Sequence, residues 1–331
     1  MKKISLTGIK PTGIPHIGNY IGAIKPALQL SESCESRYFI ADYHALNSCK
    51  NPDEIRSMTR EIAAAWLAGG LDPDQVLFYK QSGVPETFEL LTILLAFTPK
   101  GLMNRAHAYK AMLQSNQSAG KDPDDGVNMG LFTYPVLMAA DILLFDTDLV
   151  PVGNDQFQHV EMAVDIAESF NFIYQTDALK LPEAIAQPHT KTLLGLDGRK
   201  MSKSYGNTIP IFSSEKELRK LVMKIVTNSQ GIEEPKDPDT CNVFSIYQAF
   251  ASPDQIEALR QRYLAGGMGW GHAKQELFEV MNEALTPIRN RYQELMQDPG
   301  YIDRVLAEGS HKAREIASAK ISQLRQIVGI D

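Results

Sequence analysis

The strongest constraint on this chain is an alternation running through its first part. Short apolar runs give way to stretches of helical periodicity, with glycine or proline at the joins. Lys3–Gly8, Arg37–Asp42, Gln75–Tyr79 and Leu149–Val152 read as strands. His16–Leu30, Asp53–Leu67, Thr133–Leu144 and Gln156–Phe170 read as helices, the second opened by Asn51-Pro52-Asp53-Glu54, a good helix start. Strand, turn and helix repeated in that order predict βαβ units and a parallel sheet. The polar segment Gln114–Val127 reads as a mobile surface loop. After about Thr208 strand alternation stops and helical patterns run to the end, broken at Gly231–Pro238, Gly266–Gly271 and Pro299-Gly300. The expectation is an α/β parallel-sheet domain over residues 1–207 and an all-helical domain over residues 208–331.

Composition narrows the function classes. The 331 residues carry 33 Lys plus Arg against 40 Asp plus Glu, a formal charge of −7. That balance excludes coating of nucleic acid by bulk charge, but leaves a local basic surface open. Cys34, Cys49 and Cys241 are odd in number and scattered, which suits incidental thiols in a reducing compartment. No signal-peptide pattern opens the chain and no apolar run approaches the ~18 residues of a membrane span. A soluble cytoplasmic protein without a membrane partner is expected.

Two segments carry chemistry. Gly8-Ile9-Lys10-Pro11-Thr12-Gly13-Ile14-Pro15-His16-Ile17-Gly18-Asn19 follows the first strand. Pro15 suits a first helical position, and His16 and Asn19 then share one face of the first turn, where free N–H groups favour anions. The bland alternative is a glycine-rich turn with a solvent-facing histidine. The second segment, Gly198-Arg199-Lys200-Met201-Ser202-Lys203-Ser204-Tyr205-Gly206-Asn207, sets cations among small hydroxyl residues between glycines. Such a loop suits closure over a polyphosphate; its alternative is a solvated basic linker.

The two together point to a family. Pro15-His16-Ile17-Gly18-Asn19 resembles the HIGH signature of class I aminoacyl-tRNA synthetases, with Asn19 at the second histidine, and Lys200-Met201-Ser202-Lys203-Ser204 is identical to the KMSKS signature. A third stretch, Thr133–Leu144, is an apolar helix with one carboxylate, Asp141, costly to bury without a partner. With Leu149-Val150-Pro151-Val152-Gly153-Asn154-Asp155-Gln156, it resembles the tryptophanyl-tRNA synthetases, and this similarity covers most of residues 4–210. The resemblance implies a Rossmann-type catalytic domain that activates L-tryptophan with ATP and passes it to tRNA(Trp). Mg²⁺ would travel with ATP and no metal would be held by the protein; a homodimer is also implied.

Carried over residue by residue, the resemblance implies catalytic roles for His16, Asn19, Lys200 and Lys203. Lys10, Pro11, Thr12, Gly18 and Asn19 would form the ATP floor. Gly153, Asn154 and Asp155 would meet ribose and adenine, and Lys200, Met201, Ser202, Lys203 and Ser204 the pyrophosphate. His44, Tyr134, Met138, Asp141, Val150, Val152 and Gln156 would line the tryptophan pocket. Many bacterial relatives have glutamine at Lys10 and phenylalanine at Leu6, and the stretch around Lys110 aligns poorly. In the helical part, Arg219, Lys220, Lys224, Arg260 and Arg262 would supply a local positive surface for the anticodon. Rival readings are a tyrosyl-tRNA synthetase, a small-molecule adenylyltransferase and a non-catalytic RNA-binding paralogue.

Overall fold

The computed structural model describes residues 2–153, 156–186 and 193–331. Five parallel strands form one sheet: β1 (Ile4–Ile9), β2 (Glu35–Ile40), β3 (Leu77–Lys80), β4 (Leu149–Val152) and β5 (Glu183–Ala186), in spatial order β3-β2-β1-β4-β5. β1 pairs with β2 along its whole length, from Ile4↔Glu35 to Ile9↔Ile40, but with β4 only at Ser5↔Leu149. Order therefore reverses between β1 and β4, and their pairing stops early. The opening between their carboxyl ends is the crevice where ligands bind in such sheets. The strands foreseen from the sequence are present within two residues or so. β5 was not foreseen, because Glu-Ala-Ile-Ala is a short edge strand with only half-buried centre residues.

The first helical segment begins at α1 (Ile17–Asn19), widens into a π turn over Tyr20–Ile24 and continues as α2 (Lys25–Ser33). Pro26 has no N–H to give, and the widened turn accommodates it. α3 (Asp42–Ala45) and α4 (Pro52–Ala68) follow β2; α5 (Glu86–Leu95), α6 (Lys100–Met103), α7 (His107–Ser118) and α8 (Met129–Leu143) lead from β3 to β4; α9 (Phe157–Tyr174) follows β4. The segment expected as a loop from Gln114 is helical to Ser118. Asn116 then ties the turn beyond it by donating to the carbonyls of Pro123 and Asp125.

One sheet face, with Leu6, Phe39, Tyr79, Val150 and Val152, packs against α5, α8 and α9. The other, with Tyr38, Ile40 and Phe78, packs against α2 and α4. The C-terminal elements are α10 (Glu215–Met223), α11 (Asn242–Gln248), α12 (Pro253–Ala265), α13 (Trp270–Gln297) and α14 (Pro299–Val328). A third core joins α10 to α13 with Met201, Ile209, Ile211 and, from the first helix, Ile17 and Ile21. α14 instead lies along β3: Ile302, Val305 and Leu306 enter one sheet-face core, Ala313, Ala317 and Ile321 the other. It thereby covers an edge strand that would otherwise expose unpaired backbone.

Candidate active site

The turn after β1 ends in a helix cap rather than a helix first turn. His16, not Pro15, opens the helix: it is the N-cap, its Nδ1 accepting the Asn19 N–H at 3.3 Å while Asn19 Oδ1 accepts the His16 N–H at 3.1 Å. This reciprocal capping box satisfies two donors that a helix start leaves over. It also turns the imidazole inward, so His16 is buried rather than solvent-facing. Burial, with the nearby Lys203 charge, holds its pKa down to about 4. A Cβ added at Gly18 would lie 2.9 Å from His16 Nδ1, so a larger residue would displace the capping imidazole, while Met201 Sδ at 3.7 Å would be in ordinary contact. Lys10 is exposed, with burial of its head group lowering its pKa; Pro11 is buried and Thr12 exposed.

The lysine-bearing loop is fastened to this turn. Ile17 N–H donates to Ile209 O at 2.9 Å, and Ile211 N–H to Pro15 O at 3.2 Å. Within the loop, Leu194 and Lys200 form an antiparallel bridge. Asn207 is buried and donates to Lys200 O and Asp197 Oδ1, while its Oδ1 accepts the Ser202 N–H at 2.8 Å. That Asn207 bond, with help from Arg199, holds the Asp197 carboxyl down to about 2. Lys203 Nζ reaches across to Thr12 O at 2.6 Å. Burial of that ammonium lowers its pKa, against the opposing pull of Glu61. Lys200 and Ser204 are exposed and Met201 is buried beneath them.

Asp141 has the partners that its burial demands. His44 Nε2 lies 3.0 Å from Oδ2, and Gln81 Nε2 donates to both carboxylate oxygens at 2.9 Å. Burial raises the Asp141 pKa, and the His44 and Gln81 contacts oppose that rise. Beside it, Tyr134 Oη lies 2.6 Å from His159 Nε2, and His159 Nδ1 lies 2.7 Å from Gln156 Oε1. The Tyr134 ring meets His44 edge-on at 6.4 Å, which joins the two polar chains. Val150 and Val152 are buried in β4, with Met138 packed against the same core.

The structure thus brings His16, Asn19 and Gly18 together with Met201 and Lys203, and groups His44, Tyr134, Asp141 and Gln156. Gly153 is exposed at the end of β4; Asn154 and Asp155 lie outside the described residues. Leu6 is buried in the β1 core and Lys110 is exposed. Sequence reading missed Gln81 and, as a site member, His159. No local signal marks Gln81, which acquires its role only when β3, α3 and α8 converge. His159 stands three residues after Gln156, a helical spacing that was visible. Of the cations expected to face RNA, Arg260 is paired with Asp239 and Arg262 with Glu276, and Arg219 stacks over Phe278.

A parallel sheet whose reversal crevice is flanked by a capped helix start and a lysine loop defines a nucleotide-binding enzyme of the Rossmann type. The family model described as tRNA synthetases class I (W and Y) matches residues 2–286, and the chain belongs to that family. The tryptophan–tRNA ligase of Pseudomonas putida is 52% identical over 329 residues, covering 98% of this chain and 73% of the relative. That of Bordetella parapertussis is 52% identical over 328 residues, covering 98% and 72%. The crystal structure of the Campylobacter jejuni tryptophanyl-tRNA synthetase complexed with ADP and tryptophan superposes with a TM-score of 0.89 at 44% identity, over 98% of this chain and 99% of that one.

Proposed function

We propose that the chain is a tryptophan–tRNA ligase. It activates L-tryptophan with ATP, releasing pyrophosphate, and then esterifies the terminal ribose of tRNA(Trp). The observation that carries this reading is the buried Asp141 carboxylate, held by His44 and Gln81 on the apolar α8. A carboxylate so placed selects a side chain with a donor and no acceptor, as an indole N–H is.

In the first step a tryptophan carboxylate oxygen attacks the α-phosphorus in line and the bond to the pyrophosphate oxygen breaks. No nucleophilic side chain is needed; positioning and charge neutralisation supply the rate. Because His16 Nδ1 accepts a main-chain N–H, the neutral ring carries its proton on Nε2, a donor for a phosphate oxygen. Lys200 and Lys203 neutralise charge growing on the leaving pyrophosphate, and Mg²⁺ arrives with ATP. Lys10, Pro11, Thr12, Gly18 and Asn19 form the nucleotide floor, and Gly153, Asn154 and Asp155 are assigned to ribose and adenine. His44, Tyr134, Met138, Asp141, Val150, Val152 and Gln156 line the tryptophan pocket, with Tyr134 and Gln156 linked through His159.

The anticodon-recognising part lies within residues 208–331, where Lys220 and Lys224 are exposed on or beside α10. The enzyme works in the cytoplasm as a homodimer; among the described residues no helix is long and apolar enough to cross a membrane. ATP–pyrophosphate exchange with each amino acid, followed by charging of tRNA(Trp), tests the reading. Exchange should depend on tryptophan, and equal exchange with tyrosine would overturn it.

A further inference from the structure

Gln81 is fully buried, in the single turn Gln81–Gly83 that follows β3. Both ends of its amide are committed. The main-chain N–H of Tyr43 can only donate, and it donates to Gln81 Oε1 at 3.1 Å. That contact decides which way the amide is turned. Nε2 therefore faces Asp141, 2.9 Å from each carboxylate oxygen. A carboxylate offers about four acceptor positions. On Asp141, Oδ2 takes His44 and Gln81, while Oδ1 takes Gln81. By acceptor count, Oδ1 can take one further donor.

We infer that Gln81 is a positioning residue for amino-acid specificity: it holds the Asp141 carboxylate in the orientation that presents Oδ1 to a ligand N–H. This rests on the reading of Asp141 as the group that recognises indole. The same side chain ties three elements at one point, α3 through Tyr43, the end of β3, and α8 through Asp141. His44 contacts the carboxylate at Oδ2 alone, whereas Gln81 reaches both oxygens. One Gln81 N–H shared between both oxygens opposes rotation of the carboxylate, and the amide's own orientation is set by main chain rather than by another side chain.

The test compares tryptophan with its analogue carrying sulfur in place of the indole N–H, which matches it in shape but cannot donate. Gln81→Met removes the donor; Gln81→Glu keeps an acceptor for the Tyr43 N–H but sets a carboxylate against Asp141. Pyrophosphate exchange is measured for both substrates with each variant and with Asp141→Ala. Both Gln81 variants should lose about tenfold or more in kcat/KM for tryptophan, the size expected for one hydrogen bond to a charged group. The loss should fall mainly on KM, with the sulfur analogue unchanged. A purely structural role would depress both substrates alike, and that result overturns the inference, as does an unchanged ratio. If Asp141→Ala leaves the ratio intact, the reading of Asp141 fails. If Asp141→Ala shifts it and the Gln81 variants do not, the role given to Gln81 fails alone.

Discussion

Gly18→Ala separates what the active-site turn needs for folding from what it needs for chemistry. The new Cβ would stand 2.9 Å from His16 Nδ1 and 3.0 Å from its Cε1, so the imidazole must move. That imidazole is the N-cap of α1, and losing such a cap costs ~1 kcal/mol. Alanine in place of glycine in a helix returns up to about 1 kcal/mol. The two nearly cancel, and a residual of ~1 kcal/mol shifts Tm by no more than about 4 °C in a chain of this size. Activity has no such compensation. The displaced ring takes the proposed phosphate donor with it. A displacement of about 1 Å at a reacting centre costs on the order of 100-fold in rate. Pyrophosphate exchange should therefore fall by one to two orders of magnitude while Tm and tryptophan binding, followed by calorimetry, hardly change. A normal exchange rate would show that the close approach is not required. A large fall in Tm alongside the rate would show that the cap is structural and nothing more.

Replacing Lys203 by alanine should slow adenylate formation by about 100-fold, the ~3 kcal/mol of one lost charge contact in the transition state, and leave tryptophan binding intact; a matching loss of binding would make the loop a structural element. His16 predicts a pH effect on stability. Its folded pKa of about 4 lies below the ordinary 6.5, so between those values the unfolded chain binds the extra proton. Stability from this source is whole above pH 6.5, falls as pH drops to about 4, and levels off below, with a ceiling of ~3 kcal/mol. His16→Asn keeps a capping side chain but removes the titration, so its Tm should decline less than wild type across that window; parallel profiles would contradict the assignment. Gly309→Ala should destabilise strongly, because its Cβ would sit 1.7 Å from Phe78 O, where α14 crosses β3. A loss at or above the ~3 kcal/mol upper end for overpacking is expected, and an unchanged denaturation midpoint would argue against this docking.

Much of the sheet was legible because periodicity and turn residues are local properties. β2 announces itself as a run of apolar residues between polar ends, and Gly153 marks the turn after β4. The lysine loop was legible as a cluster, and its meaning came from its pairing with the turn after β1. What was hidden depends on distant parts of the chain. Asp141 was visible as a misplaced charge, but its partners come from α3 and from the end of β3. The helix begins at Ile17, two residues after Pro15, where the proline pattern put the first helical position, with His16 as its cap. A histidine N-cap competes poorly in preference tables, and here the reciprocal bond from Asn19 decides the boundary. α14 reads as a helix, yet nothing in its own pattern says that it closes the β3 edge. Only Gly309, a small residue mid-helix, hints at a close approach, and a helical glycine alone does not say to what.

The two signature segments are far apart in sequence but form one mechanical unit. The loop is fixed at its leading end by the Leu194–Lys200 bridge and at its trailing end by Ile209 and Ile211 against the turn after β1. Asn207 sits at the base, binding Ser202, Lys200 and Asp197 at once. Among the described residues, the exposed stretch from Lys203 to Gly206 makes one long-range hydrogen bond, Lys203 Nζ to Thr12 O. That carbonyl accepts from the ammonium, and the Glu61 charge attracts it. A phosphate oxygen is a stronger acceptor for a cation than a peptide carbonyl. On the proposed reading, an ATP phosphate takes Lys203 from Thr12 while both ends of the loop stay fastened. The turn after β1 and the lysine loop are joined directly by main chain, Ile17 N–H to Ile209 O and Ile211 N–H to Pro15 O.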